Sequence, residues 1–218
     1  EEVDSNHSSE DGFTPLLAAI EGSRYVVFRY LCEHLGANVN QVAITGNTPL
    51  MVAVVNGESG MVKLLCDRYG ASLNKSNAKY KTALHLAIEG GFLEIAEHIR
   101  TRKGFDHYPP SGAGTLPALL AARKGERELA LALLNPFGPY FLARIAQTGI
   151  SGIRELCNIL GLDPNQSTEC GLTPLHLAAK NGHLHVVEEL SLTPGIILDA
   201  KDSIGMTPFH LAAESSHL

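Results

Sequence analysis

The 218-residue chain contains no tryptophan, and aromatic residues make up only 6% of it. Its core must therefore be assembled mostly from Leu, Ala, Val and Ile. There is no basic excess either: 17 Lys and Arg stand against 23 Asp and Glu, a formal charge of -6. This argues against nucleic acid as a partner, because phosphate binding calls for a concentrated basic face. No apolar run reaches the ~18 residues of a membrane-spanning helix, so direct membrane insertion is not expected. No charged segment followed by an apolar one opens the chain as a secretory leader would. The four cysteines, at 32, 66, 157 and 170, form no Cys-x-x-Cys pair, so neither a zinc ribbon nor a thioredoxin motif is signalled. They are too sparse for a disulfide scaffold. Reduced thiols are expected, in the cytoplasm or on a cytosolic face, with secretion into a host cell as the alternative. Phosphate-loop, GxSxG and HExxH motifs are missing.

What the chain does have is a repeat. GFTPLLAAIEGS at Gly12 returns as GNTPLMVAVVNG at Gly46, YKTALHLAIEGG at Tyr80, GTLPALLAARKG at Gly114, GLTPLHLAAKNG at Gly171 and GMTPFHLAAESS at Gly205. A weaker copy, FLARIAQTG, starts at Phe141. Counted from Pro15 through Pro49, Ala83, Pro117, Phe141, Pro174 and Pro208, the steps are 34, 34, 34, 24, 33 and 34 residues. Each copy reads as helix, turn, helix. Thr14, Thr48, Thr173 and Thr207 are placed to cap a helix through their hydroxyls, and Pro15, Pro49, Pro174 and Pro208 suit its first position. Gly57, Gly91, Gly125, Gly149 and Gly182 are placed to end that helix in a left-handed conformation. Small pairs such as Ala18-Ala19 and Ala178-Ala179 are expected to let neighbouring helices approach. A second amphipathic helix follows, for instance MVKLLCDRY or IRELCNIL. Then GANVN, GASLN or GLDPN leads back to the next copy through a hairpin-like finger. No single copy buries both faces of its helices, whereas stacked copies do.

This pattern resembles the ankyrin-repeat family, on the strength of TPLHLAA at 173–179, NGHLHVVEEL at 181–190, GANVN at 36–40 and the period. The resemblance covers about residues 11–218 and implies a mainly α solenoid of stacked helix pairs with β-hairpin fingers and a concave binding face. About seven units are expected, near 11–40, 41–74, 75–106, 107–134, 135–165, 166–199 and 200–218, preceded by a polar cap or tail at 1–10. The family places a His on the first helix that hydrogen-bonds between repeats, commonly with the Thr of its motif. Here those positions are His85, His176 and His210.

Some copies depart from the pattern. The short step before Phe141 removes about ten residues, and NPFGPY at 135–140 stands in place of a finger. The fifth unit is therefore expected to lack one, leaving a notch. GFDHYPPSGAG at 104–114 predicts an irregular fourth finger, anchored by Tyr108 or shaped for a partner. Arg144 stands where other copies carry Leu86, Leu120 or Leu177, which predicts either a shifted helix or an Arg facing the notch. The last unit stops before its second helix, and an apolar face on Phe209, Leu211 and Ala212 leads us to expect that the native chain continues beyond 218.

No residue set here points to catalysis, a cofactor or a metal. His183 and His185 are two apart and do not share a helix face. Cys32 and Cys66 recur at matched positions, which argues for packing. Cys170, on a finger tip, has no base beside it in sequence. A basic cluster of Arg100, Arg102, Lys103, Arg123, Lys124 and Arg127 reads as a solvated face or as a site for an acidic partner segment or a phosphoinositide headgroup. The resemblance places partners on the finger tips and the first helices. Carried over by position, the candidates are Phe13, Ile44, Asn47, Val55, Lys79, Lys81, Arg123, Lys124, Leu172, Lys180, Ile204 and Met206. Exposed apolar clusters of this kind mark interaction surfaces. The expected function is non-catalytic binding of another protein or peptide by a monomer. The alternative is a recruiting segment of a larger enzyme, a membrane channel or a secreted effector with its active domain elsewhere.

Overall fold

The structure, a computed structural model, describes residues 4–106 and 115–216. Tyr108 and most of the expected fourth finger lie outside those residues. The chain divides into two compact units, Glu1–Pro117 and Ala118–Leu218. Among the described residues there are thirteen α-helices, one 3-10 segment and no strand, the layout of an ankyrin-repeat solenoid. No helix among them is long and apolar enough to cross a membrane.

In the first unit the first helices are α1 (Pro15–Glu21), α3 (Pro49–Val55) and α5 (Ala83–Glu89). The second helices are α2 (Tyr25–His34), α4 (Ser59–Asp67) and α6 (Leu93–Arg100). α1 packs on α3, α3 on α5 and α4 on α6. The helix starts follow from the sequence. Thr14 Oγ1 accepts from Leu17 N at 3.2 Å and Thr48 Oγ1 from Met51 N at 3.2 Å, each just before a Pro. The helix ends do too: Gly57 and Gly91 follow α3 and α5 at φ +70 and +73, which Gly adopts without a Cβ penalty. Leu16, Leu17, Ile20, Leu50, Met61, Leu65, Leu84, Ile88 and Ile99 form the core. Ala19, Ala53 and Ala87 are buried between helices, while Ala18 is exposed on the open side, contrary to the expected role of the Ala18-Ala19 pair.

In the second unit α7 (Pro117–Arg123) precedes α8 (Arg127–Leu134), a 3-10 segment over Asn135–Tyr140, α9 (Phe141–Thr148) and α10 (Ile153–Leu160). After these come α11 (Pro174–Lys180), α12 (Leu184–Ser191) and α13 (Pro208–Glu214). α11 packs on α9, α12 and α13, and α10 on α12. α8 leads through the 3-10 segment, which kinks at Gly138, into α9 with no finger between them, as the short step predicts. An open hollow of about 640 Å³ lies there, lined by Glu128, Leu131, Asn135, Phe141 and Gln166.

The fingers shrink to their turns. In five described fingers one backbone pair closes a five-residue loop: Ser9 N to Phe13 O, Ala43 N to Asn47 O, Asn77 N to Lys81 O, Thr168 N to Leu172 O and Asp202 N to Met206 O, at 2.9–3.1 Å. Single bonds tie adjacent tips, from Ile44 N to Asp11 O at 3.1 Å, Ala78 N to Thr45 O at 3.2 Å and Ser203 N to Cys170 O at 2.9 Å. At the finger bases an Asn repeats one clamp. Asn74 Nδ2 donates to Gly104 O at 2.7 Å while its Oδ1 accepts from Asp106 N at 2.9 Å. Asn40 clasps Gly70 and Ser72, and Asn165 clasps Gly195 and Ile197, in the same way. Asn6 Oδ1 likewise accepts from Asn38 N at 2.6 Å, and the Ser5 hydroxyl donates to Leu35 O at 2.7 Å. Residues 4–6 thus pack on the first unit.

Candidate functional site

The groups with chemical potential are committed to the fold. His85 Nδ1 meets the Thr82 hydroxyl at 2.8 Å and its Nε2 meets Thr115 O at 2.6 Å. Burial holds its pKa below the ordinary value and so keeps the ring neutral. His176 makes the same two contacts, with the Thr173 hydroxyl at 2.8 Å and Met206 O at 3.1 Å. His210 makes the Thr207 contact at 2.7 Å. His183 and His185 reach the carbonyls of Gln147 and Gly149 at 2.9 and 2.7 Å, tying the turn after α9 to the start of α12. All four cysteines are free thiols. Burial pushes Cys32 and Cys157 up to about 11 and Cys66 up to about 12, which suppresses the nucleophilic thiolate. Among the described residues no group of three or more His, Cys, Asp or Glu is placed to hold a metal ion.

Much of the basic cluster resolves into links within each unit. Arg100 pairs with Glu97 at 2.6 Å and Arg102 with Asp67 at 2.9 Å. Arg123 grips both oxygens of Glu155 at 2.7 and 2.6 Å, and Arg127 donates to Leu160 O at 2.8 Å. Arg123 therefore bridges α7 to α10 instead of presenting a free cation. Arg144 is exposed and makes no hydrogen bond or ion pair among the described residues, while Leu142, Ala143, Ile145 and Ala146 around it are fully buried. The helix is not displaced. Leu86, Leu120 and Leu177 in the same column are themselves only half-buried, so an Arg at this position of the fifth copy keeps its water. Of Phe209, Leu211 and Ala212 in the last copy, Phe209 is exposed, at 69%, while Leu211 and Ala212 are buried, contrary to the expected apolar face of all three.

The tip residues separate into two sets. Ile44 is 75% exposed, Ile204 81% and Val55 55%. Phe13, Leu172 and Met206 are half-buried. Asn47 Oδ1 accepts from Asn77 Nδ2 at 2.9 Å, linking neighbouring fingers, and Lys81 Nζ pairs with Glu89 at 2.7 Å. Lys79 and Lys180 are exposed, and neither side chain has a bonded partner among the described residues. Lys124 is exposed at the end of α7.

One tip residue escaped the position-by-position reading. At the turn apex Gly12, Gly46, Gly171 and Gly205 adopt φ of +71 to +85, and in the third finger that place belongs to Tyr80, at φ +57. Left-handed backbone costs a side chain with a Cβ about 1 kcal/mol or more. The ring is 61% exposed, and its hydroxyl has no bonded partner among the described residues. The signal was present in the alignment, where Tyr80 stands in the column that Gly occupies in the other copies.

A family model described as ankyrin repeats (3 copies) matches residues 1–77 and 142–218. No curated protein matches. Among solved structures, a chain in that of the predatory endopeptidase Bd0816 from Bdellovibrio bacteriovorus in complex with the immunity protein Bd3460 is similar. It is 23% identical with a TM-score of 0.50, and the match covers 96% of this chain and 94% of that one. At that identity the likeness concerns the fold.

Proposed function

Because this chain belongs to the ankyrin-repeat family, we propose that it is a non-catalytic module that binds a protein partner through its finger tips and the open face of its first helices. The observation that carries this reading is the exposure of Ile44 and Ile204 at 75% and 81%, on tips fixed by backbone bonds to the neighbouring finger. Apolar side chains with no core to join are the usual anchors of an interface. A tip held by its neighbour needs little ordering on association. A chain of this fold takes part in the endopeptidase–immunity protein complex named above, a setting that accords with protein recognition. The free thiols accord with a reducing compartment, the cytoplasm or a cytosolic face. We take the binding form to be a monomer.

The test is a quantitative pull-down comparing wild type with the double variant Ile44→Asp, Ile204→Asp. Both sites are exposed, so folding is retained, and the specifically enriched protein is expected to fall by about 10-fold or more. Undiminished recovery with the double variant rules out the tips as the binding face.

A further inference from the structure

From the first three finger tips we infer that this surface selects a protein segment whose charge runs from basic through aliphatic to acidic, with Tyr80 as the anchor at the acidic end. The inference rests on the tip-binding reading above and names the chemistry of its partner. It comes from a gradient along three tips that are physically joined, Asp11 O to Ile44 N and Thr45 O to Ala78 N. The first tip carries Glu10 and Asp11, both exposed and with no side-chain partner among the described residues. The second presents Ile44 and no charge. The third presents Lys79, whose ammonium is likewise unpaired, beside the exposed Tyr80; its other cation, Lys81, is already neutralised by Glu89. A segment crossing the tips therefore meets two carboxylates, then an aliphatic side chain, then an ammonium and a phenol.

Tyr80 marks the third tip as the specific end. At the matching apex of the second finger a Cβ would stand 2.8 Å from Ala78 N, and Gly46 avoids this. The third finger instead holds a bulky side chain in a left-handed backbone, and that side chain stays largely exposed. Strain of that kind is maintained where the projected group has work to do. The ring offers a flat apolar face and the hydroxyl a donor. Together with the Lys79 ammonium, that donor fits a carboxylate next to an apolar residue. Complementary charges of this sort set orientation and partner choice more than raw affinity.

The test starts from a random-peptide display library panned on the full chain. The strongest binder is synthesised together with a twin in which its acidic and basic residues are exchanged. We expect the binder to carry basic, aliphatic and acidic residues in that order. Tyr80→Gly should weaken it by about 10-fold or more while Tm stays level or rises, because Gly relieves the left-handed strain. The double variant Asp11→Lys, Lys79→Glu should favour the charge-exchanged twin. Retention of affinity by Tyr80→Gly, or equal binding of the two peptides by the charge-reversed variant, overturns the inference. Ile44→Asp separates it from the reading beneath it. If Ile44→Asp abolishes binding and Tyr80→Gly does not, only this inference fails. If both leave binding intact, or if the library yields no binder, tip binding itself fails.

Discussion

Two helices of the second unit, α11 and α9, occupy the same place in successive copies and are built differently. α11 has every device that the repeat provides. Thr173 caps it, Pro174 begins it, and His176 bonds on to Met206 in the next finger. α9 has none of these. It emerges from a 3-10 segment with no side-chain cap, starts on Phe141 and carries Ala143 where α11 carries His176. Yet Leu142, Ala143, Ile145 and Ala146 are fully buried. The apolar register is therefore enough to seat a helix in the stack, which fits the rule that packing outweighs propensity in short helices.

The polar groups that the fifth copy leaves open are met by its neighbours. Gly152 N, at the start of α10, donates to both Glu189 oxygens at 2.8 and 3.2 Å. The carbonyls of Gln147 and Gly149 at the end of α9 are taken by His183 and His185, and Leu160 O at the end of α10 by Arg127. In a solenoid this is open to a deviant copy because each repeat touches the next along its whole length.

If register rather than capping seats these helices, the largest effects should come from core truncation and should be alike in the two copies. Leu142→Ala and Leu175→Ala are each expected to cost about 2–5 kcal/mol, measured by denaturant unfolding. A far milder Leu142→Ala would show that α9 is loosely held and break the equivalence. An intermediate effect is expected at the borrowed cap. Glu189→Ala leaves a backbone N–H without its carboxylate and should cost about 1–3 kcal/mol, with Glu189→Gln recovering part of the loss. Hydrogen exchange should rise at the start of α10, and unchanged protection there would remove Glu189 from the account.

The smallest effect is a pH dependence that comes from the motif His of the third copy. Burial holds His85 below its ordinary 6.5. As pH falls through about 6.5 the unfolded chain takes up a proton that the folded ring resists. Stability is thus full above that value and declines below it until the folded ring also protonates. Thermal melts of wild type should show a fall in Tm on acidification through this window, and His85→Gln should shrink it. An identical fall in the variant would place the pH sensitivity elsewhere.

The helix–turn–helix repeat, the Thr caps and the glycine stops were legible in the sequence because each depends on residues within a few positions. The absent fifth finger was legible as a count. Arg144 was misread because the repeat pattern reports which residue is usual at a position, not how deeply it is buried; Leu86, Leu120 and Leu177 of that column are themselves only half-buried. The ion pairs of the basic cluster were not legible along the chain because the partners lie one repeat away, as Asp67 does for Arg102 and Glu155 for Arg123. Local patterning cannot reveal such pairs, although superposing successive copies does bring them together. Tyr80 was visible as a departure from Gly, but its left-handed backbone and its exposure required coordinates.

The central claim is that the tips, and not the second helices, meet the partner. Photo-crosslinking tests it most directly, with a benzophenone side chain introduced at position 44, at position 204 or at the exposed Glu128 on α8. The account predicts adducts to one shared partner from 44 or 204 and none from 128. Adducts from 128 alone would contradict it.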